Sequence, residues 1–182
     1  MNTDSILQIG NPALTGKANP IQITKITSKE NKKIYSELLG FLKKQKLQSL
    51  STPIFDIKKR IIIIRKNKKP ILLINPVVFE KSKTEYNYWE NCLCINHGKL
   101  WGLVPRYQWI EIVGHLKSGR RVSLKLTGKT AADFQHQREH LEGNFFTQRI
   151  QKTNLEFLVG ENEYKKFKTK LPKPGKVKQI HL

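Results

Sequence analysis

Two histidines four residues apart, His136 and His140, have the spacing in this chain best suited to chemistry. In a helix this spacing stacks two side chains one turn apart on the same face, so both imidazoles can bind one divalent metal ion. A catalytic site of the zinc type needs a third protein ligand and an open position for water. With 5 histidines in 182 residues, a pair at this spacing also arises by chance among surface or core histidines. The interpretation therefore depends on a third ligand.

Cys92 is the candidate third ligand, because it lies in a region of predicted strands ahead of the helix. One thiolate and two imidazoles leave one coordination position for water. This donor set suits iron, zinc, nickel or cobalt, so the sequence predicts one divalent metal ion without identifying it. Cys94, two residues on in the same predicted strand, would point to the same face. It is either a fourth ligand that closes the site or a small buried residue.

The composition predicts a globular domain with a strongly basic surface. The chain has 34 Lys and Arg against 14 Asp and Glu, a formal net charge of +20. Such a charge attracts polyanions, including RNA and ribosome surfaces, although a lysine-rich solvated surface has the same composition. The two cysteines cannot build a disulfide scaffold, and the longest apolar run, Ile61–Ile64, is too short to span a bilayer. With no signal-peptide pattern at Met1, we expect a soluble, cytoplasmic protein.

The elements that must position these residues follow from local patterns and predict an α+β fold. Thr27 to Glu30 has the form of a capping box, and Thr130 with Asp133 has the form of a second helix start. A glycine at Gly143 is the usual C-terminal cap. We expect one domain over residues 1–160 and a basic C-terminal helix and tail over residues 161–182. The predicted elements are a helix to Leu47, strands Arg60–Arg65, Ile71–Phe79, Tyr86–Ile95, Leu103–His115 and Arg121–Leu126, the helix Thr130–Leu141, a last helix Asn162–Leu171 and a loose tail Pro172–Leu182.

Both candidate segments resemble motifs of the peptide deformylases. The segment Glu90–Cys94 resembles their Glu-Gly-Cys-Leu-Ser motif, and Gln135–Gly143 resembles Gln-His-Glu-x-Asp-His-Leu-x-Gly. Two weaker likenesses are Ile6–Pro12, similar to the family's N-terminal Ile-x-x-x-Gly-x-Pro, and Gly102–Arg106, similar to a strand carrying an arginine. The resemblance covers roughly residues 5–150, and two separate motifs agree in order and spacing.

The resemblance implies a fold, a ligand set and a substrate. Family members have antiparallel strands around a central metal-binding helix and remove the formyl group from nascent polypeptides that begin with formyl-methionine. By motif match the metal, often ferrous iron and sometimes zinc, is bound by Cys92, His136 and His140. The backbone N–H of Leu93 matches a donor to the oxyanion. The family acts where nascent chains leave the ribosome.

Two departures from the family pattern concern catalysis. The family's general base is a glutamate directly after the first histidine, where this chain has Gln137. An amide can orient water but cannot take up and return a proton, and such assistance is worth about 10²–10⁴ in rate. The family's oxyanion glutamine aligns with Ile54, and losing one oxyanion donor costs about 10²–10³. The same motif has side chains, Leu47 and Ser49, in place of two glycines.

Glu139 offers an alternative base. The pattern His136-x-x-Glu139-His140 is the inverted arrangement, in which the glutamate precedes the second histidine. Glu139 and Gln137 are equally far from the midline of the two histidines on the helix, on opposite sides. The simpler interpretation gives Glu139 the orienting role of the aspartate that the family has there.

Three functions remain open on sequence grounds. The first is a metal-binding deformylase homologue with impaired catalysis that binds nascent formyl-methionyl peptides, or the ribosome or RNA through its basic surface. The alternative is an active metallohydrolase, either a weak deformylase or an enzyme with an altered substrate. The third is an RNA-binding module that keeps the fold without a metal. The intact set of Cys92, His136 and His140 disfavours the third.

Overall fold

A computed structural model describes residues 1–150, 158–167, 169–170, 173 and 175–176. Most of the predicted tail lies outside these residues. Within them no helix is long and apolar enough to cross a membrane. The helices are α1 (Lys29–Lys44), α2 (Gly128–Leu141) and α3 (Glu161–Phe167), and the strands are β1 (Ser49–Ser51), β2 (Ile61–Lys66), β3 (Lys69–Lys81), β4 (Glu85–Asn91), β5 (Leu100–Tyr107), β6 (Trp109–His115), β7 (Arg121–Thr127), β8 (Leu158–Gly160) and β9 (Gly175–Lys176).

The strands form two antiparallel sheets, which confirms the predicted α+β class. One sheet has the order β1-β2-β3-β6-β7 and the other the order β8-β5-β4-β9. Helix α2 contacts β1, β2 and β7 of the first sheet and β5 of the second. It is therefore the central helix that the sequence predicted, and most of its side chains are buried.

The isoleucine run in β2 explains how α2 is held. Ile61 and Ile63 join one hydrophobic cluster, which includes α1 and the segment around Cys92. Ile62 and Ile64 join the other cluster, which includes α2 and the strands β6 and β7. Because successive side chains of a strand point to opposite faces, the continuous apolar run predicts a strand buried on both sides. The run belongs to the core between the helices.

Both predicted helix starts were placed at the wrong residue. The cap of α1 is Ser28, whose Oγ accepts from the backbone N–H of Asn31 at 3.3 Å, and not Thr27. Helix α2 starts at Gly128, so Thr130 lies inside its first turn. Gly128 has φ 55°, a conformation that favours glycine, and it turns the chain directly from β7 into the helix.

Three predicted strand or helix ranges also need correction. The range Leu103–His115 is two strands, because the chain turns at Gln108 between β5 and β6. The range Tyr86–Ile95 ends early, since β4 stops at Asn91 and the next residues form a turn in which Ile95 N donates to Cys92 O at 3.0 Å. The last helix is shorter than predicted, as α3 ends at Phe167.

Gly143 follows the C-cap of α2, Glu142, and so lies at the end of the helix as predicted. Its replacement by alanine is expected to destabilise the fold by about 2 kcal/mol or more. Its φ is 74°, and a Cβ there would collide with the backbone carbonyl of Thr15. Urea denaturation measures the loss. The matched control is Gly119→Ala, which has φ 87° but no atom near its Cβ and so carries only the backbone strain. Equal losses in both variants would contradict the predicted contact.

Candidate metal centre

The two histidines of α2 meet Cys92 at the inner face of the helix. His136 Nε2 and His140 Nε2 are 3.2 Å apart, and Cys92 Sγ is 3.2 Å from His140 Nε2. Ligand atoms around one tetrahedral metal ion of the zinc type lie about 3.3–3.6 Å apart for such donors. The donor types and these two distances therefore fit one divalent ion, which would act as a Lewis acid and lower the pKa of water.

Cys94 lies beside this group. Cys92, Cys94 and His140 offer ligand atoms that all lie within 4.8 Å of one another. The turn after β4, and not the predicted strand, brings the two sulfurs to 2.9 Å. Two thiolates on one tetrahedral ion would lie farther apart, at about 3.7 Å. A metal ion bound by both sulfurs would therefore require them to separate, whereas Cys94 as a buried neighbour of Cys92 requires no such movement.

The orientation of His136 is fixed by a carboxylate from β4. His136 Nδ1 donates to Glu90 Oε2 at 3.0 Å, which leaves Nε2 facing the other candidate ligands. Glu90 is buried, yet Arg106 outweighs that burial and lowers the pKa of the carboxyl group to about 2. The hydrogen-bonded carboxylate stabilises one tautomer of the imidazole, as in many metal sites.

Arg106 is the fully buried cation at the centre of this network. Its Nε and Nη2 donate to the two carboxylate oxygens of Glu90, both at 2.9 Å. Its Nη1 and Nη2 donate to Glu139 at 2.5 and 2.8 Å. Glu139 also pairs with Arg149. Burial opposes ionisation of Glu139, but Arg106 and Arg149 lower its pKa, so this carboxylate is held as a paired anion.

Burial determines the direction of the pKa shift at Cys92, whereas neighbouring arginines outweigh it at Glu90 and Glu139. The apolar surroundings of the site raise the pKa of its thiol, because a thiolate there would lose its hydration. A thiolate becomes favourable once a cation lies next to it. Binding of a divalent ion at this site is therefore expected to release a proton.

Gln137 lines the same cleft as the candidate ligands, and its side chain is bound by two serines of β1. Ser51 Oγ donates to Gln137 Oε1 at 2.7 Å, and Gln137 Nε2 donates to Ser49 Oγ at 3.0 Å. Both ends of the amide are thus hydrogen-bonded to the strand. We call these three residues the serine–glutamine clasp.

The other positions that match the family's motifs line a cleft of about 320 Å³ together with the two histidines. Ile54 lines it with an apolar side chain that is only 3% exposed, so no amide donor stands there. Leu93 lines the cleft as well, and its backbone N–H donates to no acceptor in the part of the chain that the structure describes. Trp89 and Trp101 add aromatic side chains to the lining of this cleft.

Comparison with known proteins decides the family. The family profile described as "Polypeptide deformylase" matches residues 3–156. The chain belongs to this family. A peptide deformylase of Desulforudis audaxviator is 30% identical over 145 residues, which cover 79% of this chain and 91% of the relative. Peptide deformylase 2 of Nostoc sp. is 30% identical over 175 residues, which cover 91% of this chain and 94% of that protein.

Solved structures of deformylases share the fold. The peptide deformylase of Thermotoga maritima superposes with a TM-score of 0.74 at 25% identity and covers 80% of this chain and 96% of its own. An actinonin-bound class I type b peptide deformylase of Acinetobacter baumannii has a TM-score of 0.75 at 23% identity, covering 81% and 97%. The expected deformylase fold is confirmed.

Sequence reasoning missed two groups at this deformylase-family site. The serine–glutamine clasp joins residues 86 and 88 positions apart, a contact that no local pattern signals. The pairing of Arg106 with Glu90 and Glu139 was also missed, although each lies in or beside a recognised motif. The available signal was that these charged residues occupy the inward-facing side of a strand or helix, where a charge must find a partner.

Proposed function

We propose that this deformylase homologue binds one divalent metal ion through Cys92, His136 and His140 and that it has lost most of its capacity to remove formyl groups. The single observation that carries the proposal is the serine–glutamine clasp. An amide replaces the family's carboxylate, and both of its ends are bound to β1. It can neither accept a proton from an attacking water nor return one to a leaving amine.

The loss of the oxyanion donor supports the same conclusion. The buried Ile54 offers no hydrogen bond to a developing negative charge, so the Leu93 N–H would be the remaining donor. Absence of both the base and one donor leaves peptide binding with little transition-state stabilisation. The function that remains is recognition of formyl-methionyl peptides at a metal centre.

An active metallohydrolase is the second candidate function. It is favoured by the cleft, which leaves room for substrate beside three intact candidate ligands. Glu139 gives little support as its base, because its carboxylate is bound by Arg106 and Arg149. Its position supports the orienting role, since it holds the arginine that in turn holds Glu90.

The ligand assignment predicts opposite outcomes for the two cysteines. Cys92→Ser is expected to weaken zinc binding by at least about 100-fold, since it removes a thiolate ligand. Cys94→Ser is expected to leave the affinity within about threefold, because serine is the residue that the family motif has there. Competition with a chromophoric chelator measures both affinities. Equal losses would contradict the assignment and make Cys94 a ligand.

The proposed function is tested by separating binding from turnover. Zinc-loaded protein is titrated with formyl-Met-Ala-Ser in a calorimeter, and the peptide is then recovered and weighed by mass spectrometry. We expect saturable binding and a peptide that stays formylated during the titration. Rapid release of formate would favour the second candidate, and absence of binding would contradict the proposed function.

A further inference from the structure

A second cleft, of about 550 Å³, opens beside the metal centre and is lined mainly by cations. It contains one carboxylate, Asp133, whose Oδ1 lies 2.6 Å from Lys129 Nζ. Within the described ranges no carboxylate lies within ion-pair distance of the other four basic residues. The basic residues, which define the cationic cleft, are Lys43, Lys46, Arg65, Lys68 and Lys129.

Two of these lysines occupy backbone positions that favour glycine. Lys46 has φ 53° just after the end of α1, and Lys68 has φ 65° in the hairpin turn between β2 and β3. The left-handed region is disfavoured for residues with a Cβ, and glycine is the usual residue at both kinds of position. A lysine-rich composition alone does not explain why both strained lysines line the same cleft. Both lysines place a cation at this cleft from a left-handed backbone position.

Arg65 holds the two lysine-bearing loops together. Its Nε donates to Leu47 O at 2.8 Å, and its Nη1 donates to Lys68 O at 3.2 Å. One guanidinium therefore ties the segment after α1 to the β2–β3 hairpin. The cations are held near one another before any ligand arrives, which lowers the entropy cost of binding.

The cationic cleft continues directly from the cleft at the metal centre. Lys46, Gln48, Lys129 and Asp133 line both cavities. A peptide whose first residue lies at the candidate ligands and whose chain runs onward past these residues enters the cationic cleft. We propose that the cationic cleft binds the acidic side chains of such a peptide, so that the protein selects formyl-methionyl peptides with Asp or Glu a few residues after the N-terminus.

The cleft chemistry favours an acidic peptide over RNA. Among the residues that the structure describes, no aromatic side chain lines the cationic cleft, and single-stranded nucleic acid is usually held by stacking of bases on aromatic rings. Binding of RNA would also give no reason for the cationic cleft to continue into the cleft at the metal centre. The inference rests on the proposed function, since it takes the metal centre as the place where the peptide begins.

Fluorescence anisotropy with two labelled peptides tests the inference on zinc-loaded full-length protein. The peptides are formyl-Met-Ala-Ser-Asp-Glu-Asp-Glu and formyl-Met-Ala-Ser-Asn-Gln-Asn-Gln. We expect tighter binding of the acidic peptide, with an advantage that shrinks at high salt. Lys43→Gln with Lys68→Gly, two positions that line the cationic cleft and not the cleft at the metal centre, is expected to weaken acidic-peptide binding about fivefold and leave neutral-peptide binding unchanged. Because glycine relieves the left-handed backbone at position 68, the thermal midpoint should not fall.

The control removes two lysines outside the cleft, Lys25→Gln with Lys83→Gln, which should leave both affinities unchanged. Formyl release in the same samples, read by mass spectrometry, reports on the proposed function independently of affinity. Equal binding of the two peptides, or equal weakening by both double variants, would overturn the inference. Tighter binding of hexauridylate, weakened by Lys43→Gln with Lys68→Gly, would overturn it in favour of an RNA site.

Discussion

Gln137→Glu combined with Ile54→Gln is expected to raise the turnover of formyl-Met-Ala-Ser by about 10²–10⁴ over the wild type. The first change supplies a group that can accept and return a proton beside the candidate ligands. The second supplies an amide donor where the buried Ile54 offers none. Formate release by metal-loaded protein measures the effect.

The serine–glutamine clasp limits what the single change Gln137→Glu achieves. Both serine hydroxyls can donate to a carboxylate, so a glutamate there would stay bound to β1 and its pKa would fall. We expect Gln137→Glu alone to gain about tenfold and the further change Ser49→Gly to increase that gain. The matched control is Gln48→Glu, which places the same charge at the rim of the cleft and should not raise turnover. An equal gain in this control would contradict the role assigned to position 137.

Arg106→Met is expected to cost about 3–5 kcal/mol of unfolding free energy. The arginine is fully buried and pairs with two carboxylates, Glu90 and Glu139, which would be left without their shared cation. The same change should weaken zinc binding by about 10–100-fold, because Glu90 orients His136. Urea denaturation and chelator competition measure the two effects.

The control for Arg106 is Arg60→Met. Arg60 pairs with one carboxylate, Glu142, at 2.6 Å, and both side chains are partly exposed. Such a pair contributes about 1 kcal/mol or less. If the two methionine variants lost the same free energy, the buried network around the histidines would not have the structural role that its geometry indicates.

The ligand positions could be predicted from sequence because their signals are local. A spacing of four residues places two histidines on one helix face wherever the helix starts. Predicting the start at Thr130 and not at Gly128 therefore did not change the prediction that both histidines are ligands. Cys92 was found through its motif, although it lies in a turn after β4 and not in a strand. The β-branched run Arg60–Arg65 likewise predicted a strand, which the structure has at Ile61–Lys66.

The hydrogen-bond partners of the residues that depart from the family motif could not be predicted. Gln137 was correctly located on the helix, but its bonds to Ser49 and Ser51 depend on where β1 lies against α2. Glu139 was considered as a base because spacing alone does not show that Arg106 binds its carboxylate. In both cases the chemistry depends on long-range packing, which side-chain periodicity does not encode.

The most direct measurement compares formate release from formyl-Met-Ala-Ser by the zinc-loaded wild-type protein and by the zinc-loaded deformylase of Thermotoga maritima. Loss of the base and of one oxyanion donor predicts a kcat/KM lower by at least about 10³ for this chain, with zinc bound to both proteins. A value within tenfold of the Thermotoga enzyme would contradict the proposed loss of catalysis and would make this chain a working deformylase.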